Sequence, residues 1–219
     1  MADLYDWVND RLGIMPGLVY VVRRKIPADV NWLYTFGSAT LFLFLVQALT
    51  GGLLAIYYSP SPDHAYASIQ YIMNDVTYGS LVRGIHHWSA SGMVLLVVAH
   101  MLRVFFTGAY KYPREMSWMV GVVLLVLTLA FGFTGYLLPW DEKAYWATVV
   151  GTNIAGAMPL VGDWTVRLLR GGADLGVLTL NRFYAMHVML LPMAATVLIS
   201  VHVAMVIRQG ISYPPRRDE

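Results

Sequence analysis

The sequence predicts an all-α integral membrane protein, a bundle of four transmembrane helices. Three observations carry that prediction. The 219 residues are 58% hydrophobic and only 13% charged, with mean hydropathy +0.56, against about a quarter charged in soluble domains. Four stretches contain no Asp, Glu, Lys or Arg: Val30 to Pro62, Gly84 to Leu102, Met116 to Trp140 and Phe183 to Ile207. Each can supply the ~20 helical residues that cross a hydrocarbon core. Finally, the second and fourth stretches each hold two histidines, His86 and His100, then His187 and His202, separated by 14 and 15 residues.

Residues 1–30 form an N-terminal surface segment. Asp3, Asp6, Asp10 and Asp29 are mixed there with Arg11, Arg23, Arg24 and Lys25, a pattern unlike a cleavable signal peptide, so the first span serves as the insertion signal. Leu4, Trp7, Val8 and Leu12 recur at near-helical spacing, as in an amphipathic helix lying on the membrane, although a simple tail fits as well. A four-helix domain follows over 31–210, with span A at about 32–57, B at about 82–106, C at about 116–138 and D at about 181–208. The A–B and B–C connections are short. The C–D connection, 139–180, reads as two short helices, Trp140 to Gly151 and Gly162 to Arg170, and 211–219 is a tail.

Ten of the fifteen Lys and Arg lie at the N-terminus, the B–C turn and the C-terminus, and none lies between Pro60 and Leu81. The positive-inside rule then puts both termini and the B–C turn on the negative, cytoplasm-like side. Spans B and D run parallel, so His86 and His187 share a level near the positive side, and His100 and His202 share one near the negative side. The levels are about 21 Å apart, because 14 residues rise by 1.5 Å each and return to within ~40° of the same face. The 15-residue step in D overshoots by ~60°, a rotation that a kink at Pro192 is expected to absorb in part.

Zero cysteines exclude thiolate metal sites, iron–sulfur clusters and thioether-linked haem. The net charge of +2 gives no reason to invoke nucleic acid. Two imidazoles per level are too few for zinc. They suit an iron porphyrin, which brings four equatorial nitrogens of its own and, with both axial positions filled, favours electron transfer. Gly37 and Gly51 on A, and Gly121 and Gly135 on C, repeat at the same 14-residue interval. In antiparallel helices Gly37 and Gly121 fall beside the negative-side pair, and Gly51 and Gly135 beside the positive-side pair, where they give clearance for a flat cofactor. Glycine also serves plain helix packing in membranes. Arg83, Arg103 and Arg182 lie three to five residues from a histidine and can reach haem propionates. Lys111 and Arg114 fit propionate contact or headgroup snorkelling equally. His87 points ~100° away from His86 and reads as packing, while His64 reads as surface.

The segments Arg83-Gly84-Ile85-His86-His87-Trp88-Ser89-Ala90-Ser91 with His100, Phe131 to Asp141 (FGFTGYLLPWD), Arg182-Phe183-Tyr184-Ala185-Met186-His187 and Arg208-Gln209-Gly210-Ile211-Ser212 resemble the cytochrome b family, most closely its four-helix b6 form. The resemblance implies two stacked, non-covalent b-type haems, on His86/His187 and His100/His202, in a quinol:cytochrome oxidoreductase of an energy-transducing membrane such as the bacterial inner membrane. It implies quinol oxidation at the positive face, with one electron passing to a Rieske iron–sulfur protein and a c-type cytochrome and the other crossing to a negative-side quinone. It further implies a dimeric complex in lipid, with a separate chain supplying the remaining cytochrome b helices and the Pro-Glu-Trp-Tyr segment that this sequence lacks. Phe133, Tyr136, Trp140, Tyr145 and Val149 are the positive-side quinol-site candidates, and an interfacial aromatic belt accounts for the aromatic ones equally well. Arg208 is the negative-side quinone candidate, although Ile207-Arg208 replaces the basic pair of the family. Thr35 occupies the position of the cysteine that tethers an extra haem in plastid members, so no covalent haem is expected. Helix D has a 15-residue step where mitochondrial-type relatives use 14 and continue into four more helices. Two other readings are a dihaem membrane anchor of a hydrogenase or formate dehydrogenase, whose histidines would be expected on more than two helices, and a haem-free structural membrane subunit.

Overall fold

The computed structural model describes residues 4–13, 16–17, 19, 23 and 30–212. All regular structure among them is helical: α1 (Leu4–Leu12), α2 (Phe36–Ala55), α3 (Ala65–Asn74), α4 (Gly79–Phe106), α5 (Glu115–Leu137), α6 (Glu142–Gly156), α7 (Gly162–Arg170), α8 (Val177–Ala185) and α9 (Leu191–Gln209). A 3₁₀ turn, Trp32–Thr35, leads into α2, and a π turn, Met186–Leu190, joins α8 to α9. Four continuous helical segments are long and apolar enough to cross a membrane: Trp32–Ala55, Gly79–Phe106, Glu115–Leu137 and Val177–Gln209. They carry spans A to D. Their large side chains face outward, Leu49 68% and Leu95 72% exposed, which suits lipid, where helices satisfy their own backbone and aliphatic surface costs nothing.

The ends of the helices follow local chemistry. The Asn31 side chain accepts the Leu33 amide at 3.0 Å ahead of α2, and the Asp141 carboxylate accepts the Ala144 amide at 2.8 Å to start α6, each relieving an unpaired amide of the first turn. Gly171, with φ of 82°, closes α7 in the left-handed conformation that glycine adopts without strain. In the N-terminal segment, α1 leaves Leu4, Trp7 and Leu12 exposed, with Arg11 4.4 Å over the Trp7 ring. Most of the rest of that segment, and tail residues 213–219, lie outside the described residues.

Helix α2 packs along α4, and α9 along α5. The best-sealed core sits at one end of the bundle, where Ala65, Leu137, Leu180 and Phe183 are fully buried beside Tyr58, Phe133, Leu138, Trp140, Leu169 and Met186. This core seats the connections. Helix α3, in the A–B connection that the hydropathy pattern leaves as a loop, buries Ala65 and Ile72. Tyr58 donates to the Leu138 carbonyl at 2.6 Å and stacks on Tyr184 at 5.6 Å, tying together the ends of α2, α5 and α8. Burial, and then Tyr184, hold its phenol proton well above the usual tyrosine range. Helices α6 and α7 are clamped by Arg170, whose guanidinium donates to Thr152 Oγ1 (2.8 Å), Asn153 Oδ1 (2.8 Å), the Val149 carbonyl (3.3 Å) and the Ala173 carbonyl (3.0 Å). That fork of donors is a role only arginine geometry fills.

The expected kink at Pro192 takes a different form. The Leu191 amide reaches back five residues to the Met186 carbonyl, so the chain makes one wide turn just before the proline. Pro192 has no amide to give, and its ring would press on the carbonyl four residues earlier in a regular helix. A π turn holds one extra residue. Removing ~100° from the 15-residue step turns an overshoot of ~60° into a lag of ~40°, the same as the 14-residue step in α4. His187 and His202 therefore share a face.

Candidate functional site

The two levels of histidine come from α4 on one side and from the π turn and α9 on the other. The His86 and His187 rings lie 6.4 Å apart between centroids, inclined at 71°. Two metal–imidazole bonds of ~2.0 Å plus ~1.1 Å from each nitrogen to its ring centre span about 6 Å, so one metal fits between them. His100 and His202 form the second level, within electrostatic reach of each other. Among the described residues, no three His, Asp or Glu converge on one point. The described residues thus bring two imidazoles together at each level, too few to hold a metal without further donors.

Each of the four glycines faces one histidine. A Cβ placed on Gly51 would lie 3.0 Å from His86 Cε1, on Gly135 2.6 Å from His187 Cε1, on Gly37 3.0 Å from His100 Cε1 and on Gly121 3.6 Å from His202 Cε1. Helix α2 thus serves α4, and α5 serves the helix carrying His187 and His202, at matching heights. Only a residue without a side chain lets the imidazoles come this close to the neighbouring backbone at the first three positions.

The family model "Cytochrome b/b6/petB" matches residues 21–210. The chain belongs to the cytochrome b/b6 family. Cytochrome b6 of Synechococcus elongatus is 46% identical over 214 residues, 98% of this chain and 100% of that protein. Cytochrome b6 of Prochlorococcus marinus (strain MIT 9215) is 45% identical over 213 residues, 97% of this chain and 98% of that protein. A solved structure titled "Hyperthermophilic respiratory Complex III" superposes with a TM-score of 0.89 at 30% identity, covering 99% of this chain. This chain spans 60% of the length of that one. Membership in the cytochrome b family brings haem b as the cofactor class, and the paired imidazoles and glycine clefts fit it.

The arginines behave less uniformly than their spacing suggests. Arg103 lies 4.5 Å over the Tyr34 ring, with Nη2 3.4 Å from His100 Nδ1. Arg114 donates to the Gln209 carbonyl at 3.3 Å, joining the start of α5 to the end of α9. Arg103 Nε, Arg114 Nε and the Tyr34 hydroxyl are all buried without a hydrogen-bond partner, and buried donors in that state call for an acceptor. Arg83 reaches Met73 Sδ at 3.5 Å. Arg182 donates to the Arg167 and Leu168 carbonyls and so caps α7, as cations do at helix C-termini. Arg208 is exposed on the last turn of α9.

Of the positive-side aromatics, Phe133 packs edge-on to Phe183 at 5.6 Å and against Gly151, while Trp140 meets Tyr145 at 5.9 Å. Tyr136 is exposed, and Val149 contributes its carbonyl to the Arg170 clamp. His87 is exposed beside Trp88, and His64 is exposed where α3 begins. Thr50 and Thr134 stand apart from the expected site residues, and their hydroxyls meet His86 Nδ1 at 2.9 Å and His187 Nδ1 at 3.0 Å. A signal was available: Thr50-Gly51 and Thr134-Gly135 repeat the same dipeptide at the same level.

Proposed function

We propose that this chain is the dihaem electron-transfer subunit of a membrane quinol oxidoreductase, with one haem b held by His86 and His187 and the other by His100 and His202. The observation that carries this reading is the four-fold matching of one glycine to one histidine at two heights of an antiparallel bundle. Haem b, when bound, supplies a one-electron iron couple. The polypeptide would hold each haem through two imidazoles, a pairing that favours electron transfer over substrate binding. Arg103, Arg114 and Tyr34 hold buried, unpartnered donors that would take the propionates of the negative-side haem, and Arg83 would serve the positive-side haem, whereas Arg182 is committed to the end of α7. Quinol is oxidised at the positive face beside Phe133, Tyr136, Trp140, Tyr145 and Val149. A Rieske protein and a c-type cytochrome take one electron, and a quinone near Arg208 receives the other. A separate chain completes the quinol site, and both termini lie on the negative side of an energy-transducing membrane. Each charge moved across that membrane stores about 2.3 kcal/mol per 100 mV.

The purified complex is expected to give two haem b per copy of this chain in a pyridine haemochrome assay, both extractable by acidic acetone because no cysteine can tether them. A colourless preparation would overturn the proposal. The glycine contacts predict a graded response. Gly135→Ala brings a Cβ to 2.6 Å from His187 Cε1, whereas Gly121→Ala reaches only ordinary contact at 3.6 Å from His202 Cε1. Gly135→Ala is expected to lower occupancy of the positive-side haem at least tenfold, with Gly121→Ala keeping both haems. Equal losses in the two variants would contradict the seating of one glycine on one histidine.

A further inference from the structure

We propose that Thr50 and Thr134 are positioning residues that hold both imidazoles of the His86/His187 level as Nδ1–H tautomers and set the redox potential of that centre alone. This inference rests on the dihaem reading above. Each threonine hydroxyl has one proton, and it is already committed. Thr50 Oγ1 lies 2.6 Å from the Val46 carbonyl and Thr134 Oγ1 2.8 Å from the Ala130 carbonyl, both one helical turn back. Only lone pairs remain to face His86 Nδ1 at 2.9 Å and His187 Nδ1 at 3.0 Å, so each imidazole must be the donor. A neutral imidazole has one N–H. With the proton at Nδ1, the lone pair is at Nε2, the nitrogen left to bind iron.

Both hydroxyls are buried, Thr50 at 6% and Thr134 at 5% exposure, so water does not compete. The backbone around His86 is held as well, since Gln47 Nε2 donates to the His86 carbonyl at 2.7 Å and to Ser89 Oγ at 2.8 Å. The other level is built differently. His100 Nδ1 faces a guanidinium nitrogen, itself a donor, at 3.4 Å, and His202 has no threonine hydroxyl at Nδ1, its polar neighbour being the Ser117 backbone. A hydrogen bond donated from the far nitrogen of a ligating imidazole raises the ligand's basicity. That favours the more positive, oxidised iron. Losing the acceptor therefore raises the potential.

The test is a visible redox titration of the intact complex carrying Thr50→Val or Thr134→Val, beside Thr50→Ser and Thr134→Ser. The positive-side component is identified as the one missing from His187→Ala. In the valine variants it is expected to become at least threefold more reduced at a fixed ambient potential, while the other component stays in place and the serine variants titrate as the unmodified complex does. A valine variant that loses only the positive-side haem, with serine retaining it, supports the same role. Movement of both components, movement of neither, or serine behaving as valine would overturn it. An unmodified complex without two b-type components would instead defeat the dihaem reading itself.

Discussion

His187→Ala is expected to abolish one of two b-type components in a redox titration of the complex, and His100→Ala the other. His86→Ala should reproduce the first loss and His202→Ala the second. The pairing follows from distance. His86 and His187 rings are 6.4 Å apart, whereas the two histidines within α4 are separated by about 21 Å of helix rise, too far to share an iron. A haem held by only one imidazole would lose the two-ligand spectrum and shift in potential. Each variant should therefore forfeit half of the low-spin haem signal, with the surviving component unchanged. If His100→Ala and His187→Ala removed the same component, the two-level assignment would fail.

Much of this arrangement could be read from residue order because lipid leaves a chain few choices. A charge-free run of some twenty residues becomes a helix. Once the charges set the directions of the helices, the heights of His86, His100, His187 and His202 and of the four glycines followed by counting. What could not be counted depends on contacts between distant residues. Helix α3 exists because Ala65 and Ile72 find burial beside other elements, and its ten residues are too few to show membrane hydropathy. Arg182 has the spacing of a propionate arginine, yet its guanidinium meets the carbonyls that end α7, a contact visible only once α7 and α8 are packed. Thr50 and Thr134 look like ordinary small residues of membrane helices until the rings opposite them are in place. The buried, unpartnered donors of Arg103 and Arg114 likewise emerge only from the folded bundle, since burial is not a property of spacing.

Deleting Met189 is expected to leave both haems bound, an outcome that would be surprising for a one-residue deletion in a membrane helix. In a regular helix such a deletion turns everything downstream by ~100° and would swing His202 away from His100. Met189 lies within the π turn, where the Leu191 amide bonds to the Met186 carbonyl five residues back. Removing one residue there lets the same bond close over four residues, as in an α-helix, and the flanking segments keep their relative rotation. The cost is moderate, because the Pro192 ring then presses on the carbonyl four residues earlier in a regular helix, about 3 kcal/mol if nothing relaxes. Pro192→Ala in the same chain should recover it. Met189 itself is 62% exposed, so its loss opens no cavity. The control is deletion of Val197, also exposed at 62% but inside the regular part of α9, where no wide turn can absorb the change. That deletion should remove the His100/His202 component while sparing the other. Loss of the negative-side haem from both deletions alike would show that the π turn does not set the register of His202, and the 15-residue step would need another cause.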